Sequence, residues 1–323
     1  MAVVALGTLA VIAIAAADPA AMTTLPAEME QIGKYELAYP YPSPDGQQVA
    51  FQSNMDGRWQ LYALNTGDGS IRRLHSSASD DRNPAWSPDG TKIAFVSTRD
   101  GNDEVYVLEL ATGVTRSVSP HPGRDGHPKW SPDGQWLVFN RTFDPADKEG
   151  DESDIVRVRE EGSQAEVISD TPEIETFPSF SPDGGSVVFV EWHPDADGAP
   201  ARNGELIIVD LETKERRNIT NSFAFDGYPH WGSSGEWIYF SSATEGGPKG
   251  REALIYRIHP DGTGLARLTA LDGIDDVRAI PTDDEKTIYF NRDDGGRVFL
   301  YKMDLPTNSP AKSDASGSSS NSR

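Results

Sequence analysis

Five acidic residues recur at one register of this chain. Asp81, Asp125, Glu175, Asp226 and Asp276 each stand six positions before the first residue of a repeated four-residue segment, where the first copy of the repeat has Leu37. Carboxylates are hard oxygen donors. A ring of them at the mouth of a channel could hold Ca²⁺ or another hard cation, or draw in a cationic substrate. The same acids could instead each cap their own loop by accepting backbone N–H groups, with Arg82, Arg124 and Arg278 close enough in sequence to neutralise some of them. Four positions before the segment the residues stop repeating: Tyr39, Asn83, His127, Phe177, Tyr228 and Arg278. Two positions before it they are Tyr41, Ala85, Lys129, Ser179, His230 and Ile280. Strand alternation puts both sets on one face, opposite Pro84 and Trp86. Positions that vary while their neighbours repeat are where ligand specificity can be written. Tyr39, Asn83, His127, Phe177, Tyr228, His230 and Arg278 are therefore the ligand-binding candidates, with His127 and His230 able to titrate near neutrality. No catalytic residue is assigned.

The elements that must position these residues follow from the repeat itself. Ser-Pro-Asp-Gly occurs at Ser43–Gly46, Ser87–Gly90, Ser131–Gly134 and Ser181–Gly184, and the surrounding frame recovers two altered copies at Gly232–Gly235 and Thr282–Glu285. A Phe stands five residues after the Gly position in every copy: Phe51, Phe95, Phe139, Phe189, Phe240 and Phe290. Proline sets φ at the second turn position, Ser or Asp caps the turn, and Gly accepts positive φ. A type I turn followed by a left-handed residue joins antiparallel strands. In the second copy, Pro84–Trp86, Lys92–Ser97, Val105–Leu108 and Thr115–Ser119 read as four short strands. Self-similarity at roughly 40–50 residues with four strands per unit predicts an all-β, six-bladed β-propeller of four-stranded antiparallel blades. The last unit lacks its outer strand, and Ala27–Ile32 falls at the offset to supply it beside Val298–Met303. An N-terminal strand closing the last blade would protect the ring's open edges.

Composition bounds the rest. The chain has 323 residues, no cysteine and a formal net charge of −22. That charge argues against nucleic-acid backbones and anionic membranes as partners. Residues 1–17 end in Ala15-Ala16-Ala17 and read as a signal peptide, residues 18–26 as a linker, residues 27–305 as the propeller, and the Ser-rich residues 306–323 as a disordered tail. The mature chain is then periplasmic or secreted, without a membrane span. The loops Phe143–Ser153, Trp192–Gly204 and Thr244–Glu252 are longer than their counterparts in the first two units. Long loops on one face of a rigid scaffold are where binding is usually built.

The Pro-x-Trp-Ser-Pro-Asp-Gly frame, the Phe that follows it and the Tyr of the third strand resemble the repeats of TolB-type six-bladed propellers. These occur in the C-terminal domain of periplasmic TolB, in propellers attached to prolyl-oligopeptidase-type peptidases, and in oligogalacturonate lyases. The resemblance and the residue pattern together leave three functions open. One is a protein- or peptide-binding module acting through the loop-rich face and channel mouth. The second is a metal-assisted polysaccharide lyase or hydrolase using channel residues near His127 and His230. The third is a structural or sensor propeller stabilised by Ca²⁺ at the acidic mouth. No Gly-x-Ser-x-Gly elbow is present to support a peptidase.

Overall fold

Each turn of the repeat is closed by its own side chains. In the computed structural model of the protein, Ser43 Oγ donates to Asp45 Oδ1 at 2.6 Å, and Asp45 Oδ1 accepts the Gln47 N–H at 3.0 Å. Ser87 with Asp89, Ser131 with Asp133, Ser181 with Asp183 and Thr282 with Asp284 repeat the bond at 2.5–2.7 Å. These bonds hold the carboxyls of Asp45, Asp89, Asp133 and Asp183 below the usual range. Gly46, Gly90, Gly134, Gly184 and Gly235 all sit at φ between 68° and 73°, a region that costs any residue with a Cβ. In Gly232–Gly235 no Asp is available. Glu285 of the next unit takes its place, accepting the Ser234 N–H at 2.6 Å.

The structure describes residues 30–32, 37–142, 153–193, 203–221, 224–247 and 250–305. Strands are numbered in chain order. They are β1 (Glu30–Ile32), β2 (Ala38–Pro42), β3 (Gln48–Ser53), β4 (Gln60–Asn65), β5 (Ile71–Arg73), β6 (Asp81–Trp86), β7 (Lys92–Ser97) and β8 (Glu104–Glu109). Next come β9 (Thr115–Ser117), β10 (Arg124–Trp130), β11 (Trp136–Thr142), β12 (Ser153–Arg159), β13 (Glu166–Ser169), β14 (Ile174–Phe180), β15 (Ser186–His193) and β16 (Asn203–Asp210). The last are β17 (Arg216–Asn218), β18 (Asp226–Trp231), β19 (Ile238–Gly247), β20 (Gly250–Ile258), β21 (Ala266–Arg267), β22 (Asp275–Pro281), β23 (Thr287–Asp294) and β24 (Arg297–Asp304). No helix occurs among the described residues.

The protein is all-β, a propeller arrangement of small antiparallel sheets. Four sheets are separate and four-stranded: β2-β3-β4-β5, β6-β7-β8-β9, β18-β19-β20-β21 and β1-β24-β23-β22. The third and fourth repeat units share a single eight-stranded sheet, which differs from the six separate blades predicted from the repeat. Only four residues separate β13 from β14, and β13 joins β12 across a register shift. Ile174 then reaches Ser153 in one parallel bridge between the two units. At the chain ends β1 pairs antiparallel with β24, Glu30 facing Lys302 and Ile32 facing Leu300. Residues 27–29 of the expected closing strand, both terminal segments and most of the loops Phe143–Ser153 and Trp192–Gly204 lie outside the described residues, whereas Thr244–Glu252, expected as a loop, continues the β19–β20 ladder apart from residues 248–249.

The first strands β2, β6, β10, β14, β18 and β22 contact one another in sequence, and β22 returns to β2. They surround an axis. Outward from them, apolar faces of neighbouring sheets interleave. Ala85, Val105 and Val107 of one sheet meet Trp130, Leu137 and Phe139 of the next. The six repeat phenylalanines are the anchors of this packing, each no more than 1% exposed.

Candidate functional site

Every first strand carries the same defect. The ladder with the second strand shifts register between Ala38 and Tyr41, Arg82 and Ala85, Gly126 and Lys129, Thr176 and Ser179, Gly227 and His230, and Val277 and Ile280. One extra residue on the inner strand makes a β-bulge. Within it Tyr39, Asn83, His127, Phe177, Tyr228 and Arg278 all adopt left-handed backbone, with φ from 51° to 60°. Bulky side chains avoid this region unless their surroundings impose it. Side chains of the preceding repeat unit help do so. The Tyr39 N–H donates to Asn291 Oδ1 at 3.0 Å, the Asn83 N–H to Gln52 Oε1 at 2.8 Å, and the Arg278 N–H to Ser241 Oγ at 3.2 Å. Gln52, Ser241 and Asn291 each directly follow a repeat Phe. That register is the sequence signal by which the clasp could have been found.

The bulge corrects the simple alternation. Pro84, expected with Trp86 on the far face, lines the channel beside Asn83, as Pro40, Pro128 and Pro229 line it in their units. The six left-handed residues converge on one cavity. Five of them form a closed collar. Tyr39 stacks on His127 at 5.8 Å, and His127 meets Phe177 at 4.3 Å. Phe177 meets Tyr228 at 4.3 Å. Arg278 lies 4.7 Å from the Tyr228 ring and 4.2 Å from the Tyr39 ring, and donates to Tyr228 Oη at 3.2 Å. The open space here is about 50 Å³, enough for a few waters or one side-chain head group.

A second tier lies toward the Ser-Pro-Asp-Gly turns. Lys129 Nζ sits 4.2 Å over the Tyr41 ring, and His230 meets Tyr41 edge-on at 5.7 Å. This tier opens into a wider mouth of about 330 Å³, rimmed by the turn residues Pro44, Pro88, Pro132 and Pro182 with Ser87 and Ser131. His230 therefore belongs to the turn-side mouth, whereas Tyr39, Asn83, His127, Phe177, Tyr228 and Arg278 line the constriction, all but Asn83 as the collar. The Ser-Pro-Asp-Gly turns themselves therefore rim an opening to the channel. Lys129 was noticed only as one of the varying positions. Its isolation from acids is visible only in three dimensions.

Burial sets the charge state of this lining. Desolvation pulls the His127 imidazole down to about 4, with Arg278 and Lys129 adding to the effect against a hydrogen bond donated to Asn140. His127 Nδ1 lies 2.9 Å from Asn140 Oδ1, which fits a neutral ring donating from Nδ1. His230 is driven well below the usual imidazole range by burial and then by Lys129. Desolvation pulls the Lys129 ammonium down to about 7.

The five recurring acids do not reach this channel mouth. Asp81, Asp125, Glu175, Asp226 and Asp276 are each 0–2% exposed. Arg141 binds Asp125 through two bonds of 2.7 and 2.8 Å. Arg292 binds Asp276 at 2.9 Å, and Glu175 accepts Ser169 at 2.6 Å and Arg216 at 3.0 Å. Asp81 faces His75 at 3.0 Å and Arg99 at 3.3 Å. Burial raises Asp125 and Glu175 and brings Asp276 up to about 6, against the pull of their arginines. Four of the five expected metal ligands thus sit in separate ion pairs. Each of these four acids is occupied by a cation from its own or the adjoining segment, and Leu37 fills the same register in an apolar cluster. Among the described residues no group of three or more His, Asp or Glu could hold a metal ion. The His-rich metal cluster implied by the likeness to oligogalacturonate lyases does not fit here, since His127 and His230 stand in different tiers.

A family model described as the TolB beta propeller domain matches residues 27–198, more than half the chain. The chain belongs to the TolB β-propeller family. Solved structures agree on the fold. A putative TolB from Agrobacterium tumefaciens is 19% identical with a TM-score of 0.64, covering 86% of this chain and 97% of that one. A gluconolactonase from Xanthomonas campestris is 14% identical with a TM-score of 0.61, covering 86% and 90%. An oligogalacturonate lyase from Vibrio parahaemolyticus is 14% identical with a TM-score of 0.58, covering 87% and 94%. At these identities the likeness is one of fold. This TolB-type propeller shares its frame with both enzymes and a putative TolB, so its activity must be argued from its own channel. No helix of the described residues is long and apolar enough to cross a membrane.

Proposed function

We propose that this TolB-type propeller is a periplasmic or secreted binding module that receives a protein or peptide segment in its axial channel. In this reading residues 27–305 form the propeller. The eight-stranded sheet counts as two blades joined by one bridge, making six, and β1 closes the ring on β24. The observation that carries the reading is the collar. Six residues that escape the repeat, all held in costly backbone geometry, line one cavity with three aromatic rings, one imidazole and one guanidinium. Aromatic and arginine side chains on a rigid frame are what binding hot spots are made of. The wider turn-side mouth gives an extended chain room to approach while the constriction admits only a side chain.

The experiment is selection from a random peptide display library against the full chain, followed by measurement on Phe177→Ala and Tyr228→Ala. Enriched peptides should bind either variant about tenfold or more weakly, the scale of losing one packed aromatic anchor. Peptides that bind the variants as well as the wild type would place recognition elsewhere and sink the proposal.

A further inference from the structure

The channel presents positive charge without its complement. Lys129 and Arg278 both line the constriction, and no Asp or Glu does. No ion pair to Lys129 occurs among the described residues; its nearest polarised partner is the Tyr41 ring. Arg278 spends its charge on the faces of Tyr39 and Tyr228, and its Nε is buried with no hydrogen-bond partner. His230 Nδ1, beside Lys129 in the lower tier, is likewise buried and unpartnered. A chain with net charge −22 has an abundance of carboxylates to spare, yet none lines the constriction beside these two cations. An enclosed cation without a counter-charge is costly, and an incoming anion removes that cost.

The two ends of the channel differ in the number of acids that line them. Arg278 and Tyr228 also border the opposite mouth, where Glu252, Asp275 and Asp293 stand. The turn-side mouth has Lys129 and His230 at its base and Asp283 among its lining residues. The acids of the neighbouring turns are folded back on their own serines and backbone N–H groups. An anion is repelled less at the turn side. The open space of about 50 Å³ has room for a carboxylate head group.

Resting on the peptide-binding reading, we propose that the channel constriction is a carboxylate site. An acidic side chain or C-terminal carboxylate of an incoming peptide enters through the Ser-Pro-Asp-Gly face and is held by Lys129 and Arg278. Lys129 is the group that discriminates. Its free amine is held near neutrality, so a carboxylate beside it recruits a proton. The titratable and charged groups facing it are Tyr41, His127, His230 and Arg278, with Asp283 at the rim. The two imidazoles are neutral above pH 7 and Arg278 is constant. The pH dependence of carboxylate binding between pH 7 and 9 therefore belongs to Lys129.

The test uses the full chain and four probes followed by NMR titration: acetyl-Gly-Glu-Gly-amide, acetyl-Gly-Gln-Gly-amide, acetyl-Gly-Gly-Gly with a free C-terminus, and glutarate. One of the two peptides bearing a carboxylate should bind at least about tenfold tighter than the glutamine peptide, and which one does so identifies the carboxylate's source. The preference should weaken at least about tenfold from pH 7 to 9 and be lost in Lys129→Met and in Arg278→Met. Lys129→Met should keep the wild-type melting temperature or exceed it, so lost binding is not lost folding. Equal binding of glutamate and glutamine peptides overturns the carboxylate site and leaves the peptide reading standing. Glutarate binding with no peptide binding overturns the peptide reading and leaves a small-carboxylate channel. Binding of none of the carboxylate probes overturns the site outright, as does a preference that survives both substitutions.

Discussion

Replacing Lys129 with Met should stabilise the protein, and the gain should depend on pH in a defined way. Lowering an amine from its ordinary 10.5 to about 7 corresponds to about 5 kcal/mol of preference for the neutral form. Lys129 keeps part of its surface open to the channel, and water there reduces the measurable penalty to about 2–4 kcal/mol. Between pH 7 and 10.5 the unfolded chain holds a proton that the native state lacks. Native stability therefore rises with pH across that window, and below pH 7 the penalty is complete. Met occupies a similar volume beside Tyr41 and His230 with no charge to desolvate. Urea unfolding of both proteins at pH 6.5, 8 and 10 should give a difference of about 2–4 kcal/mol in favour of Lys129→Met at pH 6.5, shrinking toward zero at pH 10. The melting temperature should differ by roughly 2–4 °C per kcal/mol, or less for a chain of this size. A difference that is constant across pH, or a less stable variant at pH 6.5, would refute the claim that an uncompensated cation sits in the channel.

Other expectations follow from the same geometry. Asp125→Ala leaves Arg141 buried without its partner and should cost about 3–5 kcal/mol in urea unfolding, whereas added Ca²⁺ should leave the wild-type melting temperature unchanged if the acids are arginine partners. Gly90→Ala forces a Cβ onto φ of 69° with no steric clash nearby, so it should cost about 1 kcal/mol, purely from the backbone. Phe189→Ala empties an anchor between the third and fourth repeat units and should cost about 3–5 kcal/mol, larger than any single turn substitution. Removing residues 1–36 strips β1 from β24 and exposes an edge; light scattering should then detect self-association that the full chain lacks.

Local chemistry made most of the scaffold readable. A proline and a glycine at fixed offsets state a turn, and a Phe at a fixed distance from it states a core, so strand order and the pairing of the chain ends followed from spacing. The collar was readable only as a list of varying positions. Its geometry hangs on left-handed backbone at Tyr39, Phe177 and Arg278, which no local preference suggests, and which at Tyr39 and Arg278 is supported by a side chain from the preceding unit. The acids misled for a related reason. Their periodicity was real, but a sequence cannot say whether Asp125 faces an axis or Arg141. The altered turn at Gly232–Gly235 was rescued by Glu285 from the following unit, a contact with no counterpart in the other turns. The joined sheet depended on one bridge, Ser153 to Ile174, set by a register shift that composition does not record.

The clasp on the left-handed residues separates two kinds of inheritance in this molecule. What Gln52, Ser241 and Asn291 grip is a backbone N–H, a group every residue but proline possesses, and the side chain beyond it is left unspecified. Tyr, Asn, His, Phe, Tyr and Arg already occupy equivalent sockets with nearly the same φ. The lining is thus modular. A lineage, or an engineer, can exchange one socket's occupant and obtain a new selectivity while the ring that carries it stays as it was.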